Sequence, residues 1–266
     1  MPYKAEISAS SPSCFLFLID QSTSMAEEIS AGEATAQKAN GVAQTMNKWL
    51  QELSIKCSKS EGIRDYYHVG VIGYGLKVQA CLDAGNGQAL IPISEIASSP
   101  ARVEGEVGAR TPVWFDAVAD GGTPMCRAVA EAETVLQGWL DAHPDGFPPI
   151  VIHVTDGEAT DGDPTDRLKQ LTNMATSDGN VMLFNIHLSA NPGATPISFP
   201  DSSEGLPDEY SCMLFETASL LTPTMRALAK EYGIATSDQS RGFVLNADMT
   251  LLVQAIDIGT RPSNLR

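Results

Sequence analysis

Hard oxygen donors follow the most hydrophobic run of this chain. The run covers residues 14–19 (CFLFLI) and passes directly into a short polar turn that contains Asp20, Ser22 and Ser24. An unbroken apolar run of this length predicts a strand buried on both faces, with one carboxylate and two hydroxyls at its tip. In open α/β sheets ligands bind at the carboxyl ends of strands, and oxygen donors of this kind suit a hard divalent cation.

Two later segments can complete such a site. Gly121 and Gly122 precede Thr123 just before a predicted helix, and glycines allow the backbone to approach a ligand closely. A second buried strand, over residues 150–155, ends at Asp156. The candidate metal ligands are therefore Asp20, Ser22, Ser24, Thr123 and Asp156.

These residues also have a simpler interpretation as helix caps. Asp20 and Ser22 are common N-cap types, and Thr123 followed by Pro124 has the pattern of a helix start. Thr111, which also precedes a proline, is a rival for the hydroxyl ligand, but the glycine pair and the following helix favour Thr123. Helix capping explains each candidate residue separately, but it does not explain why all of them occur in this order along the chain. We therefore prefer the metal site.

In this order the residues resemble the metal-ion-dependent adhesion site of the von Willebrand factor A (VWA) family. That site is written Asp-x-Ser-x-Ser, then a distant Thr and a distant Asp, and all three parts are present. The resemblance implies that Ser22, Ser24 and Thr123 touch the ion most directly, while Asp20 and Asp156 hold its waters. It also implies that a partner protein supplies a Glu or Asp to the ion.

The donor set indicates which ion is expected. Hydroxyls and carboxylates without any soft ligand fit Mg²⁺ or Mn²⁺ better than Ca²⁺, which takes more oxygen ligands. Because few of the ligands are anionic, the cation keeps much of its charge. A carboxylate from another protein would then gain Coulomb energy at an open coordination position.

The composition favours one acidic globular domain over residues 1–266. Asp and Glu number 33 against 17 Lys and Arg, a net charge of −16, which argues against nucleic acid or an anionic membrane as partner. No shift in composition marks a domain boundary. The five cysteines form no C-x-x-C pair, and neither a signal peptide nor a membrane-spanning stretch is recognisable, so we expect a cytoplasmic protein.

Alternating strand and helix patterns predict a doubly wound α/β fold, with a mostly parallel central sheet flanked by helices, the Rossmann-like arrangement of VWA domains. Strands are expected at 14–19, 68–74, 150–155, 181–188 and 242–246, with an edge strand at 89–93. Helices are expected through 42–53, 125–143, 163–179, 224–232 and 249–258. Segments of about 83–120 and 189–223 are rich in Gly, Pro and Ser and are predicted as long loops.

The residues favour an interaction module over an enzyme. The preferred function is a metal-dependent adaptor, which the resemblance places beside an ATPase, a kinase or a phosphatase, or in a bacterial stress or defence system. The alternative is a phosphoryl-transfer enzyme with Asp20 as nucleophile, but Ser22 stands where a second acid is needed and no P-loop is present. His153 and His187 lie inside predicted core strands and are interpreted as interior groups. A structural ion is the third interpretation.

Overall fold

The computed structural model describes residues 3–31, 34–85, 88–106, 110–191 and 193–261. The strands are β1 (Ser13–Asp20), β2 (Glu28–Ala31), β3 (Ala34–Gln37), β4 (Ser58–Lys59), β5 (Gly62–Ile63), β6 (Tyr67–Tyr74), β7 (Val78–Ala80), β8 (Ile91–Pro92), β9 (Arg102–Glu104), β10 (Thr111–Val113), β11 (Ile150–Thr155), β12 (Ala175–Thr176), β13 (Gly179–Asn180), β14 (Met182–Leu188), β15 (Ile197–Ser198) and β16 (Phe243–Ala247). The helices are α1 (Lys38–Lys56), α2 (Ile93–Ser98), α3 (Met125–Ala142), α4 (Thr165–Asn173), α5 (Glu209–Thr217), α6 (Pro223–Glu231) and α7 (Met249–Thr260).

Over the ranges described, the central sheet has eight strands in the order β15-β16-β14-β11-β1-β6-β7, with β8 also paired to β6. Pairing is parallel from β16 to β6, and β7, β8 and β15 join antiparallel. The chain continues from β1 to β6 on one side and later to β11 on the other, so the strand order reverses at β1. The carboxyl end of β1 is therefore at the switch point where open α/β sheets bind ligands.

Strand β1 is buried over its whole length because helices cover both faces of the sheet. Phe15 and Phe17 lie in the core that contains the apolar residues of α1 and α7, whereas Leu16 and Leu18 lie in the core with those of α3 and α4. Side chains of a strand alternate between faces, so a strand covered twice needs an unbroken apolar run. This confirms the predicted doubly wound sheet and its buried first strand.

The structure differs from the predicted elements at several boundaries. Between β1 and α1 it contains an unpredicted hairpin, β2 and β3, and α1 begins at Lys38. The edge strand expected at 89–93 is limited to β8, since Ile93 begins α2. The helix expected to reach Gly179 ends at Asn173, where the small hairpin of β12 and β13 follows.

Helix α5 lies inside the segment 189–223, which the sequence predicts as a long loop. A capping box begins it: the Asp208 carboxylate accepts a hydrogen bond from the Ser211 backbone N–H at 2.7 Å. Leu214 and Phe215 then bury the helix against Phe243 of β16. The Gly, Pro and Ser content of this segment predicts a loop, whereas the helix forms because of its N-terminal cap and its packing against β16. Within the described ranges, no helix is long and apolar enough to cross a bilayer.

Candidate metal centre

Three loops meet at the carboxyl ends of β1 and β11. We call them the first site loop (residues 20–24), the second site loop (120–124) and the third site loop (156–163). The Thr23 backbone N–H donates to the Gly121 carbonyl at 3.0 Å, which joins the first loop to the second. The Thr160 N–H donates to the Thr123 carbonyl at 2.9 Å, which joins the third loop to the second. The fold thus brings the three parts of the sequence pattern together.

Two serine hydroxyls converge on one carboxylate oxygen. Ser24 Oγ donates to Asp156 Oδ1 at 2.8 Å, and Ser22 Oγ lies 3.5 Å from the same oxygen. The two hydroxyl oxygens are 3.0 Å apart. Ser22 is buried and does not cap the 3-10 turn Thr23–Ala26 that follows it, so the capping interpretation fails for this residue.

Asp20 is buried beside this cluster with both carboxylate oxygens hydrogen-bonded. Its Oδ1 accepts from the Ser22 backbone N–H at 2.8 Å, and its Oδ2 accepts from Thr155 Oγ at 2.9 Å. Burial, the largest cause, and nearby Asp156 together raise the pKa of Asp20 to about 6, although the hydrogen bonds from Ser22 and Thr155 oppose the shift. A cation at this position would stabilise the charged carboxylate.

Thr123 is fixed through its backbone. Its N–H donates to Thr160 Oγ at 3.0 Å, and it is almost fully buried. In the described part of the chain, no hydrogen bond joins the Thr123 hydroxyl to the other four candidates. Pro124 is the N-cap of α3, and the Asp161 carboxylate accepts hydrogen bonds from first-turn backbone N–H groups of that helix. Thr123 is therefore not the cap that its sequence suggests. Thr111, its rival, lies exposed in β10, paired with β9.

Lys38, the first residue of α1, is a site residue that the sequence did not reveal. Its Nζ lies 2.8 Å from Asp156 Oδ2 and 2.9 Å from Glu27 Oε2, and the residue is only 2% exposed. One of the two buried aspartates therefore has a lysine partner. No local pattern marks this lysine, because its position depends on the β2–β3 hairpin that precedes α1.

Tyr210 of α5 was missed for a different reason, since it falls in the segment predicted as a loop. Its hydroxyl donates to the Gly157 carbonyl at 2.5 Å, and burial raises the pKa of this tyrosine. His187, at the end of β14, packs edge-on against the Tyr210 ring. Among the residues that the structure describes, its buried Nδ1 has no hydrogen-bond partner, so His187 is not the satisfied interior group that the sequence suggested.

A buried polar chain lies behind the site. The Tyr74 hydroxyl is 2.7 Å from His153 Nε2, and His153 Nδ1 is 2.9 Å from Asn185 Oδ1. Asn185 in turn donates to the Leu214 carbonyl of α5 at 2.7 Å. Burial lowers the pKa of His153 to about 4, against the Asn185 hydrogen bond, so this imidazole is neutral at physiological pH. His153 is an interior group, as predicted.

The arrangement suits a hard divalent cation. Among the residues that the structure describes, no cluster of three or more His, Cys, Asp or Glu could hold a metal ion. An ion bound here would therefore depend on hydroxyls as much as on carboxylates. The converging Ser22 and Ser24 hydroxyls, with Asp20 and Asp156 behind them, supply neutral and anionic oxygens of the type that Mg²⁺ accepts.

Comparisons with known proteins bear on the fold alone. No family model and no curated protein match this chain. The solved structures that match include the vWF domain of the type V pili tip protein Mfa5 from Porphyromonas gingivalis, at 16% identity over 56% of this chain and 39% of that chain, with a TM-score of 0.32. The ArnB paralog VWA2 from Sulfolobus acidocaldarius matches at 11% identity over 91% of this chain and 43% of that one, with a TM-score of 0.40.

Proximal thread matrix protein 1 from the mussel byssus matches at 15% identity over 96% of this chain and 49% of that one, with a TM-score of 0.45. The present chain thus spans less than half the length of each of these three solved chains. Identities and TM-scores this low carry no argument about function.

Proposed function

We propose that this chain is a metal-dependent protein-interaction module of the VWA type, which binds a Glu or Asp of a partner protein. The observation that carries the proposal is the convergence of the Ser22 and Ser24 hydroxyls on Asp156 Oδ1 at the carboxyl end of β1. This is the place where the sheet topology favours ligand binding.

Each candidate residue has a defined part in this proposal. Ser22, Ser24 and Thr123 would hold Mg²⁺ or Mn²⁺ directly, and Asp20 and Asp156 would hold it through water. The ion would supply the positive charge that attracts a partner carboxylate. The hydrogen bonds from the Ser22 N–H and the Thr155 hydroxyl keep the Asp20 carboxylate in one orientation.

The contacts of Asp20 favour an interaction module over a phosphoryl-transfer enzyme. An aspartyl nucleophile must present a carboxylate oxygen to its substrate. Asp20 is 1% exposed, and each of its two oxygens already accepts a hydrogen bond within the protein. The residue is better placed to hold neighbouring groups than to attack a phosphoryl group.

The proposal includes a cytoplasmic adaptor role beside an ATPase, a kinase or a phosphatase, or within a bacterial stress or defence system. All five cysteines are free thiols in the structure, as is usual in a reducing compartment. The net charge of −16 disfavours nucleic acid and anionic membranes as partners.

Calorimetric titration of Mg²⁺ tests the site directly. We expect the wild type to bind Mg²⁺, and Ser24→Ala to bind it about tenfold more weakly because one direct oxygen ligand is lost. Ser30→Ala is the matched control, since Ser30 is an exposed serine of the neighbouring strand β2. Equal affinities for the three proteins would contradict the assignment of Ser24.

Affinity capture from the native lysate tests the partner bridge. We expect the tagged wild type and Ser30→Ala to retain the same proteins in Mg²⁺, and to lose them in EDTA. Ser24→Ala should lose them in both buffers. Proteins retained equally in EDTA would contradict the metal bridge. If the wild type binds Mg²⁺ but its capture of proteins does not depend on the metal, the ion has a structural role instead.

A further inference from the structure

We propose that Lys38 is a positioning residue that orients Asp156 and offsets its charge, so that a cation bound at the site keeps a net attraction for a carboxylate ligand. The inference rests on the proposed function and concerns its specificity for acidic partners. It assigns to Lys38 two opposite effects, a weaker affinity for the metal and a stronger affinity of the metal-loaded site for carboxylate.

The two oxygens of the Asp156 carboxylate contact different residues. Its Oδ2 forms an ion pair with Lys38 Nζ at 2.8 Å, while its Oδ1 accepts a hydrogen bond from the Ser24 hydroxyl at 2.8 Å. The Asp156 side chain is fully buried and that of Lys38 is 3% exposed, so water cannot replace either contact readily. Lys38 therefore turns Oδ1 towards the serine hydroxyls.

Glu27 holds Lys38 in place through both its backbone N–H and its side-chain amine. Its backbone N–H donates to the Glu27 carbonyl at 2.9 Å, and its Nζ also contacts Glu27 Oε2 at 2.9 Å. The Glu27 side chain is 59% exposed, so water screens its charge far more than it screens that of Asp156. The ammonium group thus acts mainly on the buried carboxylate.

Counting the buried charges gives the direction of the effect. Asp20 and Asp156 carry two negative charges and Lys38 carries one positive charge, which leaves the site with one negative charge. A divalent ion changes this to one positive charge, whereas the same ion in a site without Lys38 would give a neutral cluster. Coulomb interaction then weakens metal binding but strengthens the attraction of the loaded site for a carboxylate.

The substitution Lys38→Met removes the charge and keeps a long apolar stem. We expect Mg²⁺ alone to bind this variant about tenfold more tightly than the wild type in calorimetry, because a cation beside the site has been removed. Acetate titrated into the Mn²⁺-loaded variant, followed by water-proton relaxation, should bind more weakly than it does to the loaded wild type.

Lys48→Met is the matched control on the same helix. Lys48 has a 72% exposed side chain and lies ten residues further along α1, about 15 Å away at the usual helical rise. We expect wild-type affinities for both probes in this variant. A purely structural role of Lys38 would weaken both the metal and the acetate in Lys38→Met, so opposite signs distinguish the two roles.

Removing Lys38 leaves Asp156 buried without its partner, and such a variant can fail to fold. The pair Asp156→Asn and Asp156→Asn/Lys38→Met keeps the inference testable, because the double variant removes both charges. The double variant should bind Mg²⁺ more tightly than Asp156→Asn. Equal affinity of these two proteins would overturn the proposed action of Lys38.

The results separate the two proposals. If the wild type binds no Mg²⁺, the proposed function fails and this inference fails with it. If the wild type binds Mg²⁺ and Lys38→Met binds it with equal or lower affinity, the inference alone is overturned. Tighter Mg²⁺ binding together with weaker acetate binding in Lys38→Met supports the inference.

Discussion

At the scale of single residues, Asp20 combines burial with a negative charge. Its folded-state pKa of about 6 exceeds its ordinary value of 3.8, so at neutral pH the unfolded chain ionises it more readily than the folded protein does. Because folding raises this pKa, ionised Asp20 lowers the free energy of unfolding above pH 6. The loss disappears when the pH falls below 3.8, the pKa of the group in the unfolded chain. Without a cation, Asp20 is therefore destabilising at neutral pH.

The substitution Asp20→Asn removes this charge and retains a similar shape. In EDTA at pH 7 we expect its free energy of unfolding to exceed that of the wild type by up to about 3 kcal/mol. Added Mg²⁺ should stabilise the wild type and leave Asp20→Asn unchanged. Urea unfolding with and without Mg²⁺ measures both effects, with the exposed Asp141→Asn as control. A variant that is stabilised by Mg²⁺ as much as the wild type would contradict a role for Asp20 at the ion.

Sequence patterns located some site residues and not others for a physical reason. Asp20, Ser22 and Asp156 lie at the end of a buried strand or within two residues of it, so the strand determines their position. Lys38 reaches Asp156 from a helix start whose position is set by the hairpin of β2 and β3. No short-range rule predicts such a contact, because it depends on how distant segments pack.

At the scale of elements, helix α1 holds the segment that leads into the second site loop. Asn47 Oδ1 accepts hydrogen bonds from the backbone N–H groups of Trp114 and Phe115 at 2.8 and 3.0 Å. Its Nδ2 donates to the Phe115 carbonyl at 2.8 Å. In the described part of the chain, residues 114–115 pair with no strand, and the Asn47 amide supplies backbone hydrogen bonds in its place. Helix α1 thus holds the segment that leads towards Thr123.

Asn47→Ala would leave these buried backbone groups without partners. We expect the free energy of unfolding to fall by about 2–4 kcal/mol, and the amides of Trp114 and Phe115 to exchange faster with deuterium. Asn40→Ala is the control on the same helix, because Asn40 is exposed and its side chain donates a hydrogen bond to neighbouring Gln37. Equal stability and exchange in the two variants would contradict the role given to Asn47.

The elements that escaped prediction depend on contacts distant in sequence. The five parallel strands of the sheet were predictable because burial on both faces gives continuous apolar runs. Helix α5 has only nine residues, and it is stabilised by the Asp208 cap and by Phe243 of β16, which is far along the chain. Isolated helices of this length are marginal in water, so local propensity gives little signal.

At the scale of the whole molecule, the chain of Tyr74, His153 and Asn185 joins three strands of the sheet and α5. His153 titrates near pH 4 in the folded protein, and its ordinary value is 6.5. Between these values the unfolded chain binds a proton that the folded protein does not. The stability that this neutral histidine provides is complete above pH 6.5 and is lost as the pH falls towards 4.

Urea unfolding in EDTA at pH 7 and pH 5 can measure this loss. Between these pH values the wild type should lose about 2 kcal/mol more stability than His153→Gln, which cannot take up the proton. Asp20 acts in the opposite direction between pH 6 and 3.8, but it is present in both proteins and cancels in the comparison. Parallel stability curves for the two proteins would contradict a neutral buried His153.

The backbone bonds between the site loops have a consequence for the kinetics of recognition. Backbone hydrogen bonds join Thr23 to Gly121 and Thr160 to Thr123, so the site loops are already ordered. Few of their backbone torsions therefore lose freedom when a ligand binds. The entropy lost on association should then come mostly from the ligand and not from this chain. Stopped-flow traces should show one exponential phase whose rate rises linearly with ligand concentration, without the plateau that a slow loop rearrangement would impose.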